Sequence, residues 1–264
     1  MLSTDYVPGA PNWLDLGTPD VDASVAYYRE VFGWDHLSAG PEAGGYGMFR
    51  IAGRTVAGIG PNNEPGVTTA AWEPFFQTAD ADATTKSVEQ AGGGVRFSPM
   101  DVFDLGRMAA YADPTGARFC VWQPGENKGL DVVDEPGTLY WTELFTTDAP
   151  AALAFYRSVF DWRTEDSGMP GAAYTLVSPA GGGESDAHGG VMQLDEQMLA
   201  AGAGAHWLPY FEVTDCDATL AKAVSAGGTI RVPATEVPEV GRFAQVVDTQ
   251  GAAFGVITPP PSAG

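Results

Sequence analysis

Positive charge is scarce in this chain: 13 Lys and Arg stand against 34 Asp and Glu, a formal net charge of −21. A surface of that sign repels phosphate backbones and anionic head groups, so nucleic acid and membrane surfaces are poor partners. A small organic ligand is left open. Cys120 and Cys216 are the only cysteines, without CxxC spacing, which argues against a disulfide framework. Histidine is limited to His36, His188 and His206. No stretch approaches the roughly 20 apolar residues that cross a bilayer, and the opening MLSTDYVPGAPNW lacks a basic region followed by an apolar run. A cytoplasmic location is expected. Also missing are a GxxxxGK(S/T) phosphate loop, a strand-borne dinucleotide fingerprint and a GxSxG elbow.

What the chain has is internal repetition. NWLDLGTPDVDASVAYYREVFGW from residue 12 lies on YWTELFTTDAPAALAFYRSVFDW from residue 140 at an offset of 128, matching Trp13 with Trp141, Leu16 with Leu144, Asp20 with Asp148, Tyr28 with Tyr156 and Trp34 with Trp162, and setting Asp15 against Glu143. WEPFFQTADADA from Trp72 lies on WLPYFEVTDCDA from Trp207 at an offset of 135. The second half therefore carries seven extra residues, expected in the glycine-rich AGGGESDAHGG near 180–190.

The blocks also rhyme within each half. Strand-like runs end in TPD, TAD, TTD and VTD at Asp20, Asp80, Asp148 and Asp215, and a helical pattern follows each. A carboxylate there suits the N-cap, where it accepts the free amides of the first turn. Runs such as YGMFRI, RTVAGIG, RMAAYAD and ARFCVW, joined by turns such as DPTG and DTQG, predict three strands after each helix. The order β-α-β-β-β occurs four times, an α+β pattern in which each helix covers one sheet face. The expected organisation is a first domain over 1–127, a linker over 128–138 (KGLDVVDEPGT) and a second domain over 139–264, with PPPSAG as a frayed tail.

The phrases LDLGTPDVDASVAYYREVFGW and TELFTTDAPAALAFYRSVFDW, the AGG turns and DPTGARFCVW resemble the vicinal oxygen chelate superfamily of glyoxalases, bleomycin-resistance proteins and dioxygenases, and within it a tandem two-domain subgroup often labelled hydroxylases. The resemblance implies four βαβββ modules paired into two tandem glyoxalase/bleomycin-resistance-like domains. It also implies where a divalent metal would sit, on each first strand seven residues before the N-cap Asp and on each last strand four after the turn glycine.

Those positions are Trp13, Glu73, Trp141 and Leu208, then Cys120 and Gly255, with the register near Gly58 and Gly190 left open. Only Glu73 and Cys120 are ligand types, so no metal and no other cofactor is expected; a divalent metal is the alternative, in a nonstandard site of Glu143, His188 and His206. Trp13 and Trp141 read either as core or as an apolar stacking surface, with Leu208, Glu73, Cys120 and His206 completing a ligand-binding cup. Asp15 and Glu143 share the face of Trp13 and Trp141, and read either as catalytic general bases or as ion-pair partners of Arg29 and Arg157. The expected protein binds a small aromatic or hydrophobic compound as a monomer or homodimer. The alternative is an enzyme of glyoxalase, dioxygenase or hydroxylase type working through an atypical site.

Overall fold

The computed structural model describes residues 2–62, 64, 66–168, 173–200 and 202–260. Most of the expected PPPSAG tail lies outside the described residues. The chain forms the four α+β modules. The first runs β1 (Pro11–Thr18), α1 (Val21–Phe32), β2 (Asp35–Ser38), β3 (Gly47–Ile51) and β4 (Arg54–Pro61). The second runs β5 (Ala71–Gln77), α2 (Ala81–Gln90), β6 (Gly94–Val102), β7 (Gly106–Ala112) and β8 (Arg118–Pro124). The third runs β9 (Leu139–Thr146), α3 (Ala149–Phe160), β10 (Arg163–Asp166), β11 (Tyr174–Ser178) and β12 (Gly189–Gln193). After a short helix α4 (Glu196–Ala200), the fourth runs β13 (His206–Glu212), α5 (Cys216–Ser225), β14 (Thr229–Val237), β15 (Gly241–Val247) and β16 (Ala253–Thr258).

The four Asp residues cap their helices as the sequence predicts. The side chains of Asp20, Asp80, Asp148 and Asp215 accept the amides of Ala23, Ala83, Ala151 and Ala218 at 2.9–3.0 Å. Such a cap contributes on the order of 1 kcal/mol. Helix α1 ends on Gly33 and α3 on Asp161, both left-handed, so the repeat keeps the backbone conformation while changing the residue. Cys216 is the first residue of α5.

Strands β1 to β8 form one sheet in the order β2-β3-β4-β1-β5-β8-β7-β6, and β9 to β16 form another with the same order. In every module the first strand runs parallel to the last: Asp15 pairs with Gly58, Phe75 with Cys120, Glu143 with Gly190 and Tyr210 with Gly255. This register divides the inserted residues. The repeat offset is 128 through β11, becomes 132 at β12, where Gly190 answers Gly58, and reaches 135 at β13. Four of the seven extra residues thus lie in the glycine-rich connection, and three lie in the segment bearing α4.

Packing groups the chain into two compact units. One comprises Met1–Trp13, Glu73–Gly129 and Trp141–Leu208; the other comprises Leu14–Trp72, Leu130–Tyr140 and Pro209–Gly264. In the first unit the aromatic core is built around Phe76, Phe119, Tyr156, Trp162 and Trp207. In the second, Tyr28, Trp34, Phe49, Trp72, Phe211 and Phe254 meet at ring-centroid distances of 5.1–6.5 Å. The segment after Gly129 is fastened within the second unit: the indole of Trp34 donates to the Gly137 carbonyl at 2.8 Å, and the Asp131 carboxylate accepts the Thr55 amide at 2.7 Å. Among the described residues no helix is long and apolar enough to cross a membrane.

Candidate functional site

Alternation along each strand separates a helix-covered face from an opposite face. On β5 and β13, Trp72, Phe76, Trp207 and Phe211 enter the aromatic cores, so Glu73, Phe75, Leu208 and Tyr210 lie on the other side. The same alternation puts Trp13 and Asp15 on that face of β1, and Trp141 and Glu143 on that face of β9, because the fully buried Leu14, Leu16 and Leu144 take the covered one.

Each module places a different polar group there. In module one, Tyr46, just before β3, donates to Asp15 Oδ1 at 2.6 Å. In module three, Trp141 Nε1 donates to the Tyr174 hydroxyl at 2.8 Å, and that hydroxyl bonds to the Glu143 carboxylate. Burial, followed by the charge of Glu143, holds the Tyr174 phenol well above its usual pKa, so it stays protonated. In module four, Gln245 Nε2 donates to the Tyr210 hydroxyl at 2.8 Å. Glycine on the last strand makes room for these rings: a Cβ on Gly58 or Gly190 would collide with Tyr46 or Tyr174. Tyr46 and Tyr174 are themselves related by the 128-residue offset. That signal was available in the sequence, although the two tyrosines fall outside the strongest repeated phrase.

Module two departs from this plan. Glu73 receives Arg96 Nη1 on Oε2 and Arg118 Nε on Oε1, each at 2.9 Å, and the Cys120 thiol lies 3.5 Å from Oε2. Both carboxylate oxygens therefore face guanidinium groups.

Two readings from the sequence are corrected here. The first is pairing of the carboxylates with Arg29 and Arg157. Asp15 and Glu143 bond tyrosine hydroxyls, while Arg157 reaches Thr164. The second is the Glu143–His188–His206 metal site. The His188 ring packs in the core of its unit, edge-on to Trp162 at 4.9 Å and 6.2 Å from Phe76. His206 stacks on Phe145 at 5.1 Å and its Nδ1 meets the Gly204 carbonyl at 2.8 Å. His188 lies just before β12, where strand alternation has not yet begun.

A divalent metal does not fit these residues. The first-strand positions hold two tryptophans, a leucine and a glutamate already engaged by two cations, and the last-strand positions hold Gly58, Cys120, Gly190 and Gly255. A catalytic site needs about three donors converging on one point. Among the described residues no group of three or more His, Cys, Asp or Glu side chains converges.

Paired βαβββ modules with a parallel first and last strand, and a side-chain array on the face away from the helices, define the class as vicinal-oxygen-chelate-like. The chain belongs to the Glyoxalase/Bleomycin resistance protein/Dioxygenase superfamily, whose family model matches residues 10–121 and 138–256. It is 39% identical to the anthracycline biosynthesis protein DauV of Streptomyces sp. strain C5, covering 96% of this chain and 94% of that one. It is 37% identical to CFP32 of Mycobacterium bovis, a protein carrying a provisional glyoxylase name, over 98% of both chains. Among solved structures, the 2,2',3-trihydroxybiphenyl 1,2-dioxygenase of Sphingomonas wittichii shares the fold with a TM-score of 0.64 at 13% identity, covering 96% of this chain and 91% of that one. The Mn(II)-bound glyoxalase of Novosphingobium aromaticivorans does so with a TM-score of 0.60 at 16% identity, covering 96% and 83%.

Proposed function

We propose that this protein binds a small aromatic or hydrophobic compound without a metal, on the sheet faces turned away from the helices. The observation that carries this reading is the substitution pattern at the family's metal positions: Trp13, Trp141 and Leu208 offer apolar surface where a coordination site needs donors. Trp141 is half-buried and supplies the accessible ring, while Leu208 is fully buried. Asp15 and Glu143 accept hydrogen bonds from a ligand hydroxyl, Glu73 and Cys120 supply the polar end of module two, and His206 lies along the rim with Phe145. The relative named for anthracycline biosynthesis supports the same ligand class, since anthracyclines are fused-ring aromatic compounds. The two cysteines, both buried and free, suit a cytoplasmic setting.

One observation favours turnover as a second reading. Glu143 is only 7% exposed, and a carboxylate shielded from water beside a protonated phenol is placed to take a proton from a bound substrate.

Titration with a panel of aromatic compounds, read by tryptophan fluorescence, tests the first reading. Trp141→Ala is expected to weaken binding of the best compound about tenfold or more and to destabilise the fold by less than the roughly 3–5 kcal/mol expected for the more buried Trp13→Ala. Unchanged affinity in Trp141→Ala would remove that indole from the site. Consumption of the bound compound by wild type but not by Glu143→Gln, in chelator, would move the assignment to the enzyme reading.

A further inference from the structure

The outer strands of module three enclose a cavity of about 250 Å³, whose walls include Arg163 and Glu165 of β10, Leu176 and Ser178 of β11, and Gly182 and Gly183 of the glycine-rich connection. Strand register pairs Arg163 with Ser178 and Glu165 with Leu176, and directly paired residues share a face. Leu176 and Ser178 follow Tyr174 at a period of two, so the cavity opens on the face that carries Trp141 and Glu143. It lies at the margin of that face, because β10 is the edge strand of its sheet.

Its polar groups are uncommitted. Among the described residues, neither the Arg163 guanidinium nor the Glu165 carboxylate has an ion-pair or hydrogen-bond partner. Their Cα atoms stand about 7 Å apart along β10, and both side chains are long enough to close on one small molecule. Ser178 is 7% exposed, and its hydroxyl likewise meets no partner among the described residues. A hydroxyl so enclosed costs free energy until a group in the cavity bonds it.

The repeat provides an internal control. At the offset of 128, module one carries Asp35 for Arg163, Leu37 for Glu165, Met48 for Leu176 and Arg50 for Ser178. There the acid and the base stand opposite each other in register, Asp35 against Arg50, and the edge strand tolerates Leu37 at 41% exposure. Ala52 and Gly53 alone join β3 to β4, whereas residues 179–188 join β11 to β12. The scaffold therefore requires neither the two charges on β10 nor the glycine-rich wall beside them.

We infer that this cavity binds a small zwitterion, an α-amino acid with an aliphatic side chain. The ligand carboxylate lies on Arg163 and Ser178, its ammonium on Glu165 and its side chain on Leu176. Only a molecule with both charges pairs both wall groups, since an anion alone meets repulsion from Glu165 and a cation alone meets it from Arg163. The volume falls below the roughly 300 Å³ at which pockets for drug-sized ligands begin, which suits a ligand of this size. The site is separate from the aromatic-binding reading above: β10 is three strands away from β9, the strand of Glu143, a spacing of about 14 Å.

The test titrates isotope-labelled protein with L-leucine, with isocaproate (leucine without its amine) and with isoamylamine (leucine without its carboxylate), at neutral pH and low salt, and follows amide chemical shifts. Leucine is expected to move the amides of Gly182 and Gly183 and to bind about three- to fivefold more tightly than either single-charge analogue, the effect of one partly shielded ion pair. In Arg163→Gln leucine should bind no better than isoamylamine, and in Glu165→Gln no better than isocaproate. Misfolding cannot imitate this reciprocal loss, and the spectra report directly whether each variant is folded. Absence of leucine binding, equal affinity for the three compounds in wild type, leucine-induced shifts that spare Gly182 and Gly183, or a variant that keeps the preference tied to its lost charge overturns the proposal. The wild-type comparison decides even if neither variant folds, and none of these outcomes bears on the aromatic-binding reading.

Discussion

Lowering the pH from 7 to 5 is expected to cost about 2 kcal/mol of folding stability through one side chain, His188. The imidazole is buried against Trp162 and Phe76, and neither ring nitrogen has a hydrogen-bond partner. Burial without a partner disfavours the charged form and pulls the pKa down from 6.5 to about 3. Once the pH falls below 6.5 the unfolded chain takes up a proton that the folded chain refuses, so the equilibrium shifts towards unfolding. The contribution is complete above pH 6.5 and is lost progressively down to pH 3, where the total reaches roughly 4 to 5 kcal/mol. Urea denaturation at pH 7, 6 and 5 reads the upper part of this window. A His188→Leu variant should lose less stability over the same interval, by about 2 kcal/mol. At pH 7 it should equal or exceed wild type by about 1 kcal/mol, because two unpaired buried nitrogens are removed. Parallel pH profiles for the two proteins would mean that the folded state accommodates the imidazolium.

His188 also marks where sequence reasoning stops. The repeated phrases, the four Asp caps and the β-α-β-β-β order were legible because each is a local pattern repeated at a constant offset. The positions of Trp13, Glu73, Trp141 and Leu208 were implied by the family resemblance, and strand alternation then set Asp15 and Glu143 on the same face. His188 precedes Gly189, the first residue of β12, so period-two alternation, which would set it on the side of Gly190, does not hold for it. The register near Gly58 and Gly190 stayed open in the sequence, whereas in the fold these glycines are the floor on which Tyr46 and Tyr174 lie. Glu73 showed the residue type of a metal ligand, but its occupation by Arg96 and Arg118 depends on β6 and β8, 23 and 45 residues further along the chain. The composition of the compact units was hidden for the same reason: Tyr28 meets Asp248 at a separation of 220 residues.

That long-range contact carries the second large expectation, that Tyr28→Phe is more damaging than its repeat counterpart Tyr156→Phe. Within its unit, the Tyr28 hydroxyl accepts from Trp72 Nε1 at 2.9 Å and donates to Asp248 Oδ2 at 2.9 Å, so one oxygen satisfies two buried partners. Asp248 Oδ1 meanwhile accepts the amides of Gln250 and Ala252, both at 2.8 Å, which fixes the DTQG turn. Deleting the hydroxyl strands an indole N–H and a carboxylate oxygen in a dry core. The expected cost is about 2–4 kcal/mol, since an unsatisfied charged group carries most of its desolvation penalty. In the other unit the Tyr156 hydroxyl likewise accepts from Trp207 Nε1 at 2.9 Å, and Asp113 Oδ1 accepts the amides of Thr115 and Ala117. The Tyr156 hydroxyl also faces the Asp113 carboxylate, but Oδ2 makes no hydrogen bond of good geometry, unlike Asp248 Oδ2. Tyr156→Phe therefore strands the indole and removes a poorer carboxylate contact, with an expected cost of about 1–2 kcal/mol. Thermal and urea unfolding of the two variants, and of the double variant, separate the effects, because the sites share no partner and their costs should add. Equal losses, or a larger loss in Tyr156→Phe, would show that the hydrogen bond to Asp248 contributes no more than the poorer contact with Asp113.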